Sequence, residues 1–332
     1  MHLGRVFKWG LMAIAILSLA FVTTAAARTP EPDLVIHEMN PGSCLVFPLF
    51  DIREGWDTHI RVTNTSKTSP VRVQFNYNCP GTKEDQFCDA LDRHDNLTPY
   101  ETLVLHVPDH NPPCNEGYVL VCAENANHQA IAFDHLIGSY HIKDLGTGTV
   151  EASPAIAIQS TKAEGECTGC DDKLQFGAAA GDDQDYKALP SHLFTDFQAI
   201  GELGGDPFAL HTELILLTLD TVAGGHNPVT DVDIKFWNER EVPFSTSWQF
   251  VCWDRVPLER IDFNFFADNL GTQYGSMAIW PKAKCPIPGA CPPLTEFDPT
   301  VLGAIDEFAP NGRTKRNLFH DKVPKSTIYH PR

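Results

Sequence analysis

The ten cysteines are the residues of this chain whose type and spacing most clearly indicate chemistry. An even number of thiols in an exported chain is typical of a protein held together by disulfides. Proximity along the chain favours local pairs, each restraining the unfolded chain by about 2–4 kcal/mol. Cys44 and Cys252 are left as a long-range pair. The predicted local pairs are Cys79–Cys88, Cys114–Cys122, Cys167–Cys170 and Cys285–Cys291.

The Cys167-Thr-Gly-Cys170 segment has two further chemical interpretations. A CxxC spacing can form a redox dithiol or supply half of a zinc site. Here the flanking residues are acidic, and nearby negative charge raises the pKa of a thiol and disfavours the thiolate. A local disulfide is therefore the prediction for this pair.

Two acidic clusters in the same region could hold calcium, the one cofactor that the sequence suggests. Hard cations bind several loop oxygens, and aspartates close together in a polar segment supply them. Neither cluster has the EF-hand spacing, and the alternative interpretation is a solvated acidic loop. The candidate ligands are Asp171 and Asp172, and then Asp182, Asp183 and Asp185.

Three tryptophans, Trp237, Trp248 and Trp253, fall on neighbouring predicted strands. Trp237 lies on the strand face opposite Ile234 and Phe236, beside acidic residues. An exposed indole beside carboxylates can stack on a sugar ring, whereas tryptophans more commonly pack beneath a loop or a second domain. These residues are the candidate glycan contacts.

No catalytic residue is predicted, because no motif with a fixed chemical geometry occurs. The chain has no HExxH, no GxSxG and no glycine-rich phosphate loop. Several histidines adjoin acids, as in Asp109–His110, Asp134–His135 and the Asp92-Arg-His94 segment. Adjacent residues of a strand point to opposite faces, so such neighbours are not dyads. Each histidine is predicted to be a surface residue or a satisfied core residue.

The first 27 residues predict export. Arg5 and Lys8 precede an apolar run over residues 11–22, and alanines at 25–27 resemble a cleavage site. No later apolar run approaches the roughly 20 residues of a membrane-spanning helix, so no anchor is expected in the mature chain. The net charge of −18 argues against a nucleic-acid partner. The predicted location is secreted, periplasmic or on the cell surface.

Downstream of a leader at residues 28–43, the chain has the pattern of an all-β protein. Short runs rich in Val, Ile, Thr and Phe alternate with breaks of Gly, Pro, Asn and Asp. Residues 71–77 alternate apolar and polar side chains, as in an antiparallel sheet with one wet face. The predicted strands are residues 44–50, 58–64, 71–77, 102–107, 118–123, 130–136, 211–219, 229–237, 246–253 and 275–280.

These elements predict an antiparallel β-sandwich, immunoglobulin-like or jelly-roll-like, at residues 44–145. A second β-rich region follows at residues 146–300 and contains a long loop over residues 160–188. A short helix is expected at residues 189–200, because Leu189, Leu193 and Phe197 recur every four residues. Residues 301–332 are predicted to be a basic tail that is frayed, docked on the acidic body or docked on another molecule.

Three segments resemble the opening of a group of exported bacterial proteins of unknown function. They are the CLVFPLFD run at residues 44–51, the RVTNTS strand end at residues 61–66 and the NLTPYETL turn at residues 96–103. The resemblance covers the first third of the chain. It implies a β-sandwich and export, and it assigns no activity or functional residue.

The sequence thus favours an exported, disulfide-stabilised structural or binding protein of the bacterial envelope or exterior, without enzymatic activity. Two alternatives stay open at this point. One is a carbohydrate-active protein, either a glycan-binding module or a glycoside hydrolase, and the other is a calcium-stabilised adhesin. Self-assembly through strand edges and binding to a surface glycan are the partner hypotheses.

Overall fold

The computed structural model describes residues 40–81, 88, 90–170, 173–177, 185–187, 189–201, 211–219, 229–282, 301–309, 312–322 and 325–329. Within them the chain folds almost entirely into antiparallel strands, which confirms the predicted all-β class. The predicted signal peptide (residues 1–27) and most of the predicted leader (28–43) lie outside the described residues.

Two facing sheets build the first half of the fold. Sheet I contains β1 (Cys44–Asp51), β3 (Val71–Asn78), β4 (Ala90–Leu97), β6 (Glu116–Glu124) and β9 (Ile156–Ile158), in the order β4-β3-β6-β1-β9. Sheet II contains β2 (Trp56–Asn64), β5 (Thr102–His106), β7 (Leu136–Asp144) and β8 (Val150–Pro154), in the order β5-β2-β7-β8. A single helical turn, α1 (Val107–His110), follows β5. Because β8 and β9 complete these sheets, both sheets extend past residue 145.

Alternating apolar side chains of sheets I and II form the first core. Val73, Phe75 and Tyr77 are fully buried, as the period-two pattern of β3 predicts. The wet face expected on the other side of β3 is wrong, because Gln74 and Asn76 are buried as well. Phe47 of β1 meets Tyr140 of β7 edge to face, with ring centroids 6.1 Å apart. This contact between strands of different sheets gives the sandwich-like packing.

The second half of the chain forms three more sheets. Sheet III contains β10 (Lys173–Gly177), β11 (Tyr186–Lys187) and β21 (Lys325–Tyr329), in the order β11-β10-β21. Sheet IV contains β12 (Pro190–Gln198), β14 (Val229–Asn238), β15 (Pro243–Val251), β17 (Tyr274–Pro281) and β20 (Phe319–Lys322), in the order β15-β14-β17-β12-β20. Sheet V contains β13 (His211–Thr218), β16 (Trp253–Pro257), β18 (Val301–Ala309) and β19 (Gly312–Asn317), in the order β16-β13-β18-β19.

Short helical turns connect β16 to β17. They are α2 (Leu258–Ile261), a 3-10 turn (Phe263–Phe265) and α3 (Ala267–Leu270). Leu258, Phe265 and Leu270 are buried in the second core, which they share with sheets IV and V. The expectation of little helix therefore agrees with the described residues.

Sheet V packs apolar side chains into both cores. Ile215 and Leu217 of β13 belong to the first core, and Leu214 and Leu216 belong to the second. Successive residues of a strand point to opposite faces, so a continuous apolar run such as residues 214–217 buries both faces of its strand. The sheet is thus shared between the two cores.

The predicted helix at residues 189–200 is wrong, because this segment forms β12. Leu193, Thr195 and Phe197 are buried, while Phe194 between them is 41% exposed. A repeat of four residues is also a multiple of two, so the apolar spacing fits a strand as well as a helix. The segment forms a strand because its backbone pairs with β17 and β20.

The predicted tail and the predicted loop also contain strands. Residues 301–332 form β18, β19, β20 and β21 in their described parts, and β18 pairs with β13 over residues 301–308. Lys315 of the basic segment is buried against acids of the body, so a frayed end is wrong for this part. Within residues 160–188, β10 and β11 belong to sheet III. The predicted strand at residues 130–136 forms isolated bridges, and the regular strand begins only at Leu136.

Four disulfides occur in the described residues, and three predicted pairs are wrong. Cys44 is bonded to Cys122, Cys79 to Cys114 and Cys88 to Cys252, whereas Cys167 is bonded to Cys170 as predicted. Cys44 and Cys122 lie directly opposite each other on β1 and β6, so strand register rather than sequence proximity brings them together. Cys285 and Cys291 lie outside the described residues.

Asn64 joins two of the segments on which the family resemblance is based. Its side chain is fully buried, donates to the carbonyl oxygens of Ser69 and Thr98, and accepts from the Ser66 N–H. The backbone N–H of Asn64 donates to the carbonyl of Glu101 at 2.9 Å. The strand end near residue 64 is therefore tied to the turn at residues 98–101.

Candidate binding sites

A buried carboxylate, Glu124, organises the outer end of sheet I. Glu124 is the last residue of β6 and is 2% exposed. Its Oε1 atom lies 2.9 Å from Nδ1 of His94, which β4 supplies from the edge of the sheet. Its Oε2 atom lies 3.5 Å from Nδ1 of His128 in the following loop. The carboxylate therefore hydrogen-bonds one imidazole, that of His94, and lies near a second, that of His128.

The loop after β6 presents His128 through a tight turn. The Asn125 side chain accepts from the N–H groups of Asn127 and Gln129, at 2.8 and 3.2 Å. His128 has φ of 63°, a left-handed conformation that His, Asn and Asp adopt more often than other non-glycine residues do. The His94 and His128 rings meet edge to face, with centroids 4.5 Å apart.

A cavity of about 570 Å³ opens beside these histidines. We call it the His94 pocket. The volume lies in the usual range for small-molecule sites. All of its lining side chains can donate or accept hydrogen bonds. They are Gln74, Asp92, His94, Asn127, His128 and Gln129.

Positive charge already compensates Glu124 beneath the pocket. Arg72 lies opposite Glu124 in the register of β3 and β6, and its Nε lies 2.5 Å from Oε1 of the carboxylate. Among the described residues, Oε2 of Glu124 has no hydrogen-bond partner. A site that holds Arg72 repels a metal cation, so the His94 pocket is suited to a polar organic ligand rather than to a metal ion.

A second group of imidazoles and carboxylates lies on the outer face of sheet II. We call Asp57, His59 and His106 the histidine cluster. Nε2 of His106 lies 2.8 Å from Oδ1 of Asp57, and Nδ1 of His59 lies 3.7 Å from Oδ2. Nδ1 of His106 also lies 3.1 Å from Oδ1 of Asp109. All three residues of the cluster are partly exposed.

Neighbouring carboxylates favour the charged form of His106. Burial acts to lower the pKa of His106, but its hydrogen bonds to Asp109 and Asp57 outweigh that effect and raise the pKa. His141 lies opposite His59 on β7. Burial and the positive charge of Arg61 lower the pKa of His141.

The acid–histidine neighbours of the sequence do not form dyads, as expected. Asp109 contacts His106, whereas the adjacent His110 lies 2.9 Å from the Tyr77 hydroxyl. Asp134 accepts from the Ser43 hydroxyl, and His135 is directed toward Glu164. The histidines that do share a carboxylate come from different strands or loops.

The three candidate tryptophans do not form one stacking surface. Trp237 is half-buried on the outer face of β14, and Nζ of Lys235 lies 5.1 Å from the centroid of its ring. Trp248 packs against the second core and donates from Nε1 to Asp254 at 2.8 Å. Trp253 is buried in the first core and donates to the carbonyl of Pro48. Of these, Trp237 alone lies on an outward face.

Asp185 is the one described member of the candidate calcium ligands. It is 7% exposed, and its Oδ1 atom lies 3.4 Å from Nζ of Lys162. The other four candidates, Asp171, Asp172, Asp182 and Asp183, lie outside the described residues. The calcium site therefore stays a prediction.

Sequence reasoning found neither the His94 pocket nor the histidine cluster. Both form from residues on neighbouring strands or on a following loop, and such contacts depend on strand register. The sequence does contain one indication of these sites. Asp57 and His59 are two residues apart, as are Asp92 and His94, so each pair lies on one face of its strand.

Comparisons with known proteins add little to the geometry. No protein-family model and no curated protein matches the chain. Among solved structures, one similar chain is a protein described as "Crystal Structure of Thermotoga maritima 1070", at 13% identity and a TM-score of 0.28. The match covers 36% of this chain and 97% of that one. In the described residues, no helix has the length and apolar character needed to cross a membrane.

Proposed function

We propose that this protein is an exported, non-enzymatic binding protein of the bacterial envelope or exterior. In this proposal, the His94 pocket takes a small hydroxyl-rich ligand of the saccharide type. The four disulfides support the location, because such bonds persist in oxidising compartments and are rare in the cytosol. The acidic net charge disfavours nucleic acid as the ligand.

The polar lining of the His94 pocket is the observation that carries the proposal. Side-chain amides of Gln74, Asn127 and Gln129 offer both donors and acceptors, and Asp92 offers acceptors. A sugar hydroxyl can also donate and accept, so one hydroxyl can hydrogen-bond a donor and an acceptor of the pocket at the same time. Glu124 supports the site from beneath through its hydrogen bond to His94.

Two substitutions test the pocket without removing its supports. His128→Asn keeps a residue type that tolerates the left-handed backbone, and Asp92→Asn keeps the shape of the side chain. Saccharide binding is measured by calorimetry and saturation-transfer NMR over a panel of mono- and disaccharides. We expect each substitution to weaken binding about tenfold, equivalent to about 1.4 kcal/mol.

Trp237→Ala is the matched control, because Trp237 is the sequence-based glycan candidate and lies on sheet IV. Binding should be unchanged in this variant. Loss of binding in Trp237→Ala, with full binding in the two pocket variants, would place the saccharide on sheet IV instead. A panel in which no saccharide binds the unaltered protein would refute the saccharide class.

A further inference from the structure

The histidine cluster is assembled by strand register. His59 of β2 and His106 of β5 are directly opposite each other, and Asp57 is two residues before His59 on the same face. Directly opposed side chains on an antiparallel pair lie close enough to share a ligand. The two imidazole rings are 4.9 Å apart between centroids.

The ligating atoms of the cluster converge at a distance suited to a metal ion. One ligand atom from each of Asp57, His59 and His106 lies within 4.8 Å of the other two. A tetrahedral zinc ion with bonds of about 2.0–2.2 Å needs ligand atoms about 3.4 Å apart. The two oxygens of Asp57 lie 2.8 Å from Nε2 of His106 and 3.7 Å from Nδ1 of His59, distances on either side of that value.

Asp109 supplies the outer partner that a ligating histidine needs. Its Oδ1 atom lies 3.1 Å from Nδ1 of His106, so this nitrogen carries the proton and Nε2 faces Asp57. A metal-bound histidine commonly donates its other N–H to a carboxylate, which fixes the orientation of the ring.

Charge distinguishes this cluster from the group at Glu124. Arg72 pairs with Glu124, whereas the ion pairs of Asp57 in the described part of the chain are with His59 and His106. Lys143 occupies the register position beside Asp57 on β7 and is exposed. The ion-pair partners of Asp57 are therefore two histidines, which can themselves bind a metal ion.

We propose that Asp57, His59 and His106 form a surface site for a divalent transition-metal ion such as zinc or copper, with Asp109 positioning His106. Imidazole ligands favour these metals over calcium and magnesium, which prefer all-oxygen sites. Three protein ligands leave one position for water or for a group from another molecule. This site is separate from the His94 pocket and does not depend on the function proposed for that pocket.

Zinc titration of the metal-free mature protein tests the site. The protein is dialysed against a chelator and titrated with zinc by calorimetry, and cobalt is added as a spectroscopic probe of coordination. We expect one zinc ion to bind and cobalt to give the visible absorption of a four-coordinate site. Asp57→Asn and His106→Gln should each weaken zinc binding at least tenfold and abolish the cobalt absorption.

Two further variants separate this site from its competitors. Asp109→Asn should weaken zinc binding about tenfold while keeping the cobalt absorption, as expected for a positioning residue. His94→Gln is the matched control from the Glu124 group and should leave the zinc affinity unchanged. The proposal is overturned if zinc does not bind, if Asp57→Asn binds zinc normally, or if His94→Gln alone removes binding. Circular dichroism confirms that each variant is folded.

Discussion

Arg255 is a buried cation surrounded by carboxylates where sheet V meets the first core. Its side chain is 7% exposed, and it contacts Asp51 at 3.0 Å, Asp306 at 3.4 Å and Glu213 through Nε. Register explains this grouping, because Glu213 lies opposite Asp306 on β18, and Arg255 is directed to the same face of sheet V. Partners on every side offset the cost of burying these charges.

Asp51 is an acid of this group that pairs with two arginines, Arg53 and Arg255. Burial acts to raise the pKa of Asp51, but the hydrogen bond to Arg53 and the charges of Arg53 and Arg255 outweigh it and lower the pKa. Asp51→Asn removes the charge of one acceptor from Arg255, which keeps Asp306 and Glu213, so the expected loss is that of a hydrogen bond to a charged group, about 1.5–3 kcal/mol. Chemical denaturation at pH 7 should show a loss of that order.

The loss of stability in Asp51→Asn should become smaller as the pH is lowered. A carboxyl with a lowered folded pKa stabilises the fold above its unfolded pKa of about 3.9, and this contribution disappears as pH falls toward the folded value. The difference between Asp51→Asn and the unaltered protein should therefore shrink below about pH 4. Asp233→Asn, at an exposed ion pair with Lys282, is the control and should cost less than about 1 kcal/mol. An equal loss at pH 3 and pH 7 would contradict the argument.

Gly138 of β7 lies against side chains of β1 in the facing sheet I. A Cβ atom at this position would lie 2.7 Å from Cζ of Phe47, 2.9 Å from Cδ1 of Leu45 and 3.0 Å from the Arg61 carbonyl oxygen. The Phe47 and Leu45 side chains are fully buried, so they have little room to move. Glycine therefore sets the spacing between the two sheets.

Gly138→Ala should destabilise the protein by about 1–3 kcal/mol through overpacking. Thermal unfolding measures the effect. Gly148→Ala is not a neutral control, because Gly148 has φ of 75°, so Ser139→Ala, on the same strand and half-buried, is the better comparison. A Gly138→Ala variant as stable as the unaltered protein would show that Phe47 and Leu45 can shift without cost.

The strands predicted from the sequence are those with an apolar face. Alternation in β3 and β14 identifies both, because one face of each packs against a core. Strand β4, with the sequence ALDRHDNL, has no such pattern, since it is an edge strand that pairs only with β3 in the described sheet. Polar edge strands protect a sheet from further pairing and are hard to recognise by hydrophobicity. Because β4 carries Asp92 and His94, the pocket was missed together with the strand.

At the scale of the whole molecule, sheet V couples the two cores. Leu217 and Leu302 face the first core as a cross-strand pair, while Leu216 and Ile305 face the second. Any opening of either core exposes one face of the same sheet. The cores are therefore expected to unfold together rather than in sequence.

Leu217→Ala and Leu216→Ala test this coupling from the two faces of β13. Each substitution removes a fully buried leucine and should cost about 2–5 kcal/mol. Calorimetry should show a single transition in both variants, shifted to lower temperature. Val104→Ala, at an exposed position of β5, is the control and should change little. Two separate transitions in either variant would show that the cores unfold independently.

The long-range architecture could not be read from sequence spacing. Local periodicity identifies elements, whereas the sharing of sheet V and the pairing of Cys88 with Cys252 depend on contacts across 164 residues. Proximity favoured Cys79–Cys88, but Cys79 follows β3 and Cys114 precedes β6, and these two strands are neighbours. The end of one antiparallel strand lies beside the start of the next, which brings the two sulfurs together.

The Cys88–Cys252 bond has a consequence for resistance to proteolytic cleavage. A single cut anywhere between these residues leaves both fragments covalently joined. Since β13 lies in this interval and contributes to both cores, the fragments also keep their noncovalent contacts. A nicked molecule can therefore remain assembled and retain its shape until its sulfur bridge is reduced.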